Sequence, residues 1–333
     1  MKAFLIDRYG KDVVGDITEV PEPQVDDFDV LIEVHAASVN VLDIKIRKGE
    51  FKQVLPFRMP LILGNDVAGT VKRVGGNVSR FRVGDEVYAR LDQPRMGGFA
   101  EFVAVSESAV SLKPANLNME EAASLPLVAL TAWQALAEMA KVQPGQKVLI
   151  HAGSGGVGSI AIQVAKHLGA FVATTTSSGN VAWVNALGAD LVIDYKTQQF
   201  ESQLSDYDVV LSGQGSDVLE KSLQVLKPGG QLISISGPPT PEVAEQLRLS
   251  WLLRQVVRLI SRGIRKKAQH MGVNYKFLFM RESGAQLAEL AGLVETGVIK
   301  PVVDRVFALG STGDALAYVA QGRAKGKVIV KLK

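Results

Sequence analysis

Lys147-Val148-Leu149-Ile150-His151 is a short aliphatic, β-branched run, and residues 157–168 repeat their apolar positions with helical spacing. The turn joining them, His151-Ala152-Gly153-Ser154-Gly155-Gly156-Val157-Gly158, places Gly153, Gly155 and Gly158 at the spacing G-x-G-x-x-G. No other stretch restricts the fold as strongly. One glycine serves a tight turn, one lets a phosphate-bearing ligand approach the backbone, and one lets helix and strand pack closely. The helix N-terminus directs free N–H groups and partial positive charge at the same point. Gly153, Ser154, Gly155, Gly156, Val157 and Gly158 are therefore candidate dinucleotide-binding residues; the competing reading is a purely structural turn.

The rhythm on either side differs. Up to about residue 120 the chain reads as many short strands, such as Asp29-Val30-Leu31-Ile32-Glu33-Val34-His35 with period two, broken by turns such as Val74-Gly75-Gly76-Asn77. That spacing implies a compact β-barrel. Beyond it, strands near 171–174, 191–194, 208–211 and 231–234 alternate with helical segments, the βαβ pattern of a doubly wound parallel sheet. Residues 302–307 and 327–332 return to isolated strands. The expected class is α/β, with a barrel domain at 1–122 and 285–333 around a Rossmann domain at 123–284.

Composition excludes several chemistries. The chain of 333 residues has no cysteine, which removes disulfides, iron–sulfur clusters, thiolate zinc sites and a cysteine nucleophile. Its four histidines, at 35, 151, 167 and 270, form no ligand spacing and read as structural. A net charge of +3 argues against nucleic acid as the main partner. The early charges and the absence of a long apolar stretch lead to the expectation of a cytoplasmic, soluble protein.

The motif blocks resemble a known family. The sequence from Gly145 through the glycine turn to Gly158, with Gln163 and Lys166, looks like the quinone oxidoreductase/zeta-crystallin pattern of the medium-chain dehydrogenase/reductases. So do Ser38-Val39-Asn40-Val41-Leu42-Asp43, Leu63-Gly64-Asn65-Asp66-Val67-Ala68-Gly69, Val83-Gly84-Asp85-Glu86-Val87, Leu125-Pro126, Thr131-Ala132 and Gly322-Arg323-Ala324-Lys325-Gly326-Lys327. The resemblance implies a GroES-like barrel, a Rossmann domain, and reduction of a quinone or an α,β-unsaturated carbonyl by hydride transfer. Zinc-dependent relatives carry Gly-His-Glu where Gly64-Asn65-Asp66 stands, so metal-free chemistry is expected.

An NAD-specific site places an acid at the end of the second strand. Phe171-Val172-Ala173-Thr174-Thr175-Thr176-Ser177-Ser178-Gly179-Asn180 has none. Hydroxyls and amides there donate to a 2′-phosphate, so NADP(H) is the expected cofactor, with Thr176, Ser177 and Asn180 near the phosphate. Related alkenal and enone reductases carry Lys at the Asn180 position and a Tyr matching Tyr195. By resemblance, Thr131, Ser212 and Gly213 line the nicotinamide pocket. Asn40, Asp43 and Lys45 lie on the segment facing it, with Lys45 the first candidate donor to the acceptor oxygen and Asn40 the second. The rival reading is a sensor or an RNA- or partner-binding protein with little turnover.

Two segments concern partners. One opens at Leu247 and closes at Lys267, with Arg254, Arg258 and Arg262 among apolar residues. Such a basic amphipathic helix either touches an anionic membrane surface or packs on the protein with a solvated arginine face. The other, Asn274-Tyr275-Lys276-Phe277-Leu278-Phe279-Met280, reads as an edge strand, and the resemblance implies a homodimer built across it.

Overall fold

In the computed structural model, which describes residues 1–53 and 55–333, the chain divides into a first unit, Met1–Leu130 with Arg281–Lys333, and a second, Thr131–Met280. In chain order the first unit begins with β1 (Lys2–Ile6), β2 (Asp16–Glu19), β3 (Asp29–Val39) and helix α1 (Val41–Lys48). Strands β4 (Leu61–Ile62), β5 (Asp66–Val74), β6 (Glu86–Arg90), β7 (Phe102–Ser106) and β8 (Val110–Leu112) follow, then α2 (Met119–Ala123) and α3 (Pro126–Trp133). The second unit contains β9 (Lys147–Ile150), α4 (Gly156–His167), β10 (Phe171–Thr176), α5 (Val181–Ala186), β11 (Leu191–Asp194) and β12 (Tyr207–Ser212). It continues with α6 (Ser216–Gln224), β13 (Leu226–Ser234), α7 (Pro241–Gln246), α8 (Trp251–Ile260), α9 (Arg262–His270) and β14 (Asn274–Phe277). The chain then re-enters the first unit through α10 (Gly284–Glu295), β15 (Val303–Ala308), α11 (Thr312–Ala320) and β16 (Lys327–Lys331). The first junction falls at Leu130, inside α3, later than the sequence placed it.

In the first unit a small antiparallel sheet, β2-β1-β4, accompanies a seven-stranded one of order β15-β16-β3-β5-β6-β8, with β7 also paired to β3. The period-two pattern of β3 promises one wet face, yet the strand is buried along nearly its whole length. It pairs with β5, β7 and β16, and its apolar residues join a core of Val30, Ile32, Val34, Val67, Val71 and Val328. Its buried acid, Asp29, is neutralised by the Arg95 fork at 2.6 and 3.0 Å.

The second unit is a six-stranded sheet of order β11-β10-β9-β12-β13-β14, every neighbour parallel. Numbered from β9, this is the strand order 3-2-1-4-5-6 of a dinucleotide-binding fold, whose ligand crevice opens at the carboxyl ends of the strands where the order reverses. That point lies between β9 and β12. Strand β14 is the outer strand on one side, shorter than the apolar run that marked it. The basic segment forms two helices meeting at the buried Ser261, not one. Ile264 and Ala268 of α9 enter the core of the unit.

Candidate active site

Loops after β9, β10 and β12 surround the switch point of the second unit. After β9, Ala152 turns the chain at φ +55° and Gly155 caps α4. A methyl group on Gly153 would lie 2.2 Å from Thr174 Oγ1, and one on Gly158 would lie 2.2 Å from the Ala152 carbonyl oxygen. Close packing therefore demands both glycines. A methyl on Gly155 would meet nothing nearer than the Ala152 oxygen at 3.3 Å, so its bareness serves space outside the protein. Helix α4 has no capping side chain and no acid in its first turn. Its leading N–H groups and positive end are left for an anion. The turn fits the pyrophosphate of a dinucleotide.

At the end of β10, the Thr176 hydroxyl is buried without a partner among the described residues, an orphaned donor that a phosphate oxygen would satisfy. Ser177 follows. The Asn180 amide is engaged locally: it donates to Ser177 Oγ and accepts from Trp183 Nε1, both at 3.1 Å. The stretch 171–180 has no acid in sequence, but parallel pairing sets Thr176 beside Asp194 of β11. The Asp194 carboxylate accepts the Ser178 hydroxyl at 2.5 Å and the Lys196 N–H at 3.0 Å, and these bonds hold its carboxyl below the usual range. The stretch itself remains acid-free, but the next strand does bring a negative charge to this corner, with the exposed Lys196 next to it. Tyr195 donates its N–H to the Thr176 carbonyl at 3.1 Å, and its ring is exposed. Ser212, buried at the end of β12, and Gly213 follow on the far side of the switch point, and Thr131 is buried on α3.

His151 is structural. Burial pushes its imidazole down to about 4, so it stays neutral. Ser222 donates its hydroxyl to the Val218 carbonyl at 2.6 Å, which leaves Ser222 Oγ to accept from His151 Nε2–H at 2.9 Å. His151 Nδ1 then accepts the Thr175 hydroxyl at 3.1 Å. The ring ties β9, β10 and α6 together under the glycine turn.

In the first unit, three of the motif blocks converge on one buried polar cluster. Asp66 Oδ2 accepts from Ser38 Oγ at 2.8 Å, from Asn40 Nδ2 at 2.8 Å and from Lys327 Nζ at 3.4 Å, while Oδ1 accepts the Leu127 N–H at 2.9 Å. Lys327 Nζ also donates to Asn40 Oδ1 at 2.5 Å. Asp43 Oδ2 accepts the Asn40 N–H at 2.7 Å, completing the start of α1, and Oδ1 accepts from Asn65 Nδ2 at 2.7 Å and Gly64 N–H at 3.2 Å. Burial pushes the Asp43 carboxyl up to about 6, against the pull of those donors, and pushes the Lys327 ammonium down.

The sign for stability follows. With its folded carboxyl above the unfolded 3.8, Asp43 binds more protons in the native state between roughly pH 4 and 6, so its contribution falls as pH rises through that window. Melting temperatures of the wild type and Asp43→Asn, compared from pH 4 to 8, are expected to show the wild type losing ground relative to the variant up to about pH 6. A constant difference would contradict the raised carboxyl.

A model described as the alcohol dehydrogenase GroES-like domain matches residues 25–115, and one described as zinc-binding dehydrogenase matches residues 187–330. The mitochondrial NAD(P)H oxidoreductase RTN4IP1 of Danio rerio is 35% identical, covering 100% of this chain and 91% of the relative. The chloroplastic NADPH-dependent alkenal/one oxidoreductase of Arabidopsis thaliana is 34% identical, covering 99% and 79%. Among solved structures, the quinone oxidoreductase from Coxiella burnetii superposes with a TM-score of 0.87 at 32% identity, covering 100% of this chain and 99% of the other. The chain belongs to the medium-chain dehydrogenase/reductases. It is an oxidoreductase of their quinone oxidoreductase type.

Within this medium-chain reductase, the second unit gathers the glycine turn, Thr176, Ser177, Asn180, Tyr195, Ser212 and Gly213 at the carboxyl ends of adjacent strands. Asn40 needs a new role. Both ends of its amide are engaged by Asp66 and Lys327, so it holds the cluster instead of offering a donor to a substrate. Lys45 lies half-buried on α1, two residues past Asp43 and so on the other side of the helix. Sequence reasoning missed Ser38, Asn65, Asp66 and Lys327 as one site, although each sits in a quoted motif block. It also missed Asp194 and Lys196.

Proposed function

We propose that this medium-chain reductase reduces quinones and α,β-unsaturated carbonyls without zinc. Its cofactor is NADP(H), which, when bound, supplies a hydride from the nicotinamide. The observation that carries the metal-free reading is the cation of the buried cluster. Between Asn40 and Asp66 stands the Lys327 ammonium, and the Asn65-Asp66 side chains are engaged with Asp43, Ser38, Asn40 and Lys327. Such a donor set holds an ammonium, not a transition metal.

The protein's own residues divide the work. The turn from Gly153 to Gly158 receives the pyrophosphate through N–H groups of α4. Thr176, Ser177 and Lys196 donate to the 2′-phosphate, and Asp194, tied to Ser178, opposes it. That opposition makes the margin of NADPH over NADH narrow. Thr131, Ser212 and Gly213 flank the nicotinamide. Lys45 polarises the acceptor oxygen, and Lys327 and Asp66 fix Asn40 at the start of α1. Two copies pair across the open outer edge of β14; light scattering is expected to give a dimer mass.

The test is NADPH and NADH oxidation followed across quinones, alkenals and enones, before and after exhaustive chelation. Activity is expected to survive chelation. Lys45→Ala is expected to lower kcat by ~10²-fold, since one donor to a developing oxyanion is worth that much, and to leave NADPH affinity near wild type. Zinc-dependent turnover would refute the metal-free chemistry, and an unchanged kcat would remove Lys45 from it. Tight NADPH binding with no turnover on any acceptor would return the protein to the sensing role.

A further inference from the structure

Helix α8 gathers exposed apolar side chains that the reductase reading leaves unused. Trp251, Leu252, Val256, Leu259 and Ile260 are 69, 69, 52, 68 and 52% exposed. At 3.6 residues per turn, Leu252, Val256, Leu259 and Ile260 share one sector of about 100°. The buried Val257 lies beyond that sector, so a different side of α8 packs on the unit. Arg254 and Arg258 flank it past Trp251.

The cations have their own pattern. From Leu247 to Met280 the chain carries eight lysines and arginines and no Asp or Glu, although the net charge of the whole chain is only +3. Lys267 pairs with Glu220 at 2.6 Å and Arg265 faces Glu242. Among the described residues, Arg254 and Arg258 bond only to the Leu249 carbonyl and the Gln255 amide, and Arg262 and Lys266 have no carboxylate partner. Arg262, Arg265 and Lys266 open α9, at the positive end of its dipole, where cations weaken a helix. Helix stability does not explain that placement.

Three occupants meet these features unequally. Nucleic acid would satisfy the cations and leave the aliphatic sector in water. A second copy placed two-fold across α8 would bury that sector but set arginine against arginine. An anionic bilayer satisfies both. We propose that α8 and the start of α9 seat this protein on an anionic phospholipid surface, with the Leu252–Leu259 sector at the acyl boundary, the cations among the phosphates and Trp251 at the interface.

The full-length protein is sedimented with vesicles of phosphatidylcholine alone and of phosphatidylcholine with phosphatidylglycerol, at low and high salt. Binding is expected only to the anionic vesicles and is weakened by salt, with a blue shift of tryptophan emission that Trp251→Phe abolishes without abolishing binding. The pairs Leu252→Ser/Leu259→Ser and Arg254→Glu/Arg258→Glu are each expected to lower partitioning by about tenfold or more. All four side chains are on the surface, so thermal unfolding of both variants stays near wild type. Four results would each overturn the proposal: no binding to anionic vesicles, equal binding to both kinds, partitioning untouched by either pair, or a dimer that dissociates in Leu252→Ser/Leu259→Ser.

Discussion

Lys327→Met is expected to destabilise the first unit by about 3–5 kcal/mol, the usual cost of stranding a buried charge. The ammonium is almost wholly buried, within hydrogen-bond reach of Asn40 Oδ1 and Asp66 Oδ2, while Asp43 and Asp66 lie in the same cluster. Without it, two buried carboxylates keep only neutral hydrogen-bond donors, with the buried Arg90 acting on them at longer range. Methionine matches the length of the lysine stem, so the loss reports charge more than volume. Adding Asp66→Asn to Lys327→Met removes one of the stranded charges and should restore part of the loss. All three tryptophans, Trp133, Trp183 and Trp251, lie in the second unit, so chemical denaturation must be followed by circular dichroism to register the first. A loss below about 1 kcal/mol, the scale of a surface pair, would show that the cluster is not electrostatically closed.

Gly155→Ala and Gly158→Ala are expected to fail in opposite ways. At Gly155 the backbone is in an extended conformation open to any residue, and the added methyl has room, so stability should fall by no more than about 1 kcal/mol, the loss of a favourable N-cap. NADPH affinity should fall by roughly 10- to 100-fold, because the methyl pushes the pyrophosphate off charge-assisted bonds worth about 1.5–3 kcal/mol. At Gly158 the methyl strikes the Ala152 carbonyl oxygen, so overpacking should cost about 1–3 kcal/mol of stability. Thermal unfolding beside fluorescence titration with NADPH separates the two. A Gly155→Ala protein that binds NADPH like the wild type would move the pyrophosphate away from this turn.

Legibility followed the distance over which each feature is assembled. The glycine turn is a local device: strand, glycines and helix are contiguous, and its residues could be named from the chain alone. Lys327 could not. It closes Gly322-Arg323-Ala324-Lys325-Gly326-Lys327, which entered only as part of the family resemblance, and its partner Asn40 is 287 positions away. No periodicity marks an ammonium for burial. Asp194 escaped for a related reason: its closeness to Ser178 comes from the parallel register of β10 and β11, which pairs residues far apart in sequence. In α8 the amphipathic pattern was plain, but a pattern does not say which side meets the protein. Asn40 was chosen as a substrate donor from its motif, and only the partners at both ends of its amide reveal a supporting role.

The placing of β16 between β15 and β3 gives synthesis of this enzyme a direction in time. The second unit is one continuous stretch, complete once Met280 has emerged, and its parallel sheet can close while the ribosome is still translating. The first unit has to wait. Its inner sheet lacks a strand until β16 has been made, and residues 36–39 of β3, beyond the stretch that β7 pairs, meanwhile present an open edge. Contacts spanning almost the whole chain form slowly. A nascent or clipped chain that stops short of Lys327 therefore carries a finished nucleotide-binding half beside an open, adhesive sheet. Cells would meet such a chain as a client for chaperones and proteases until β16 is in place.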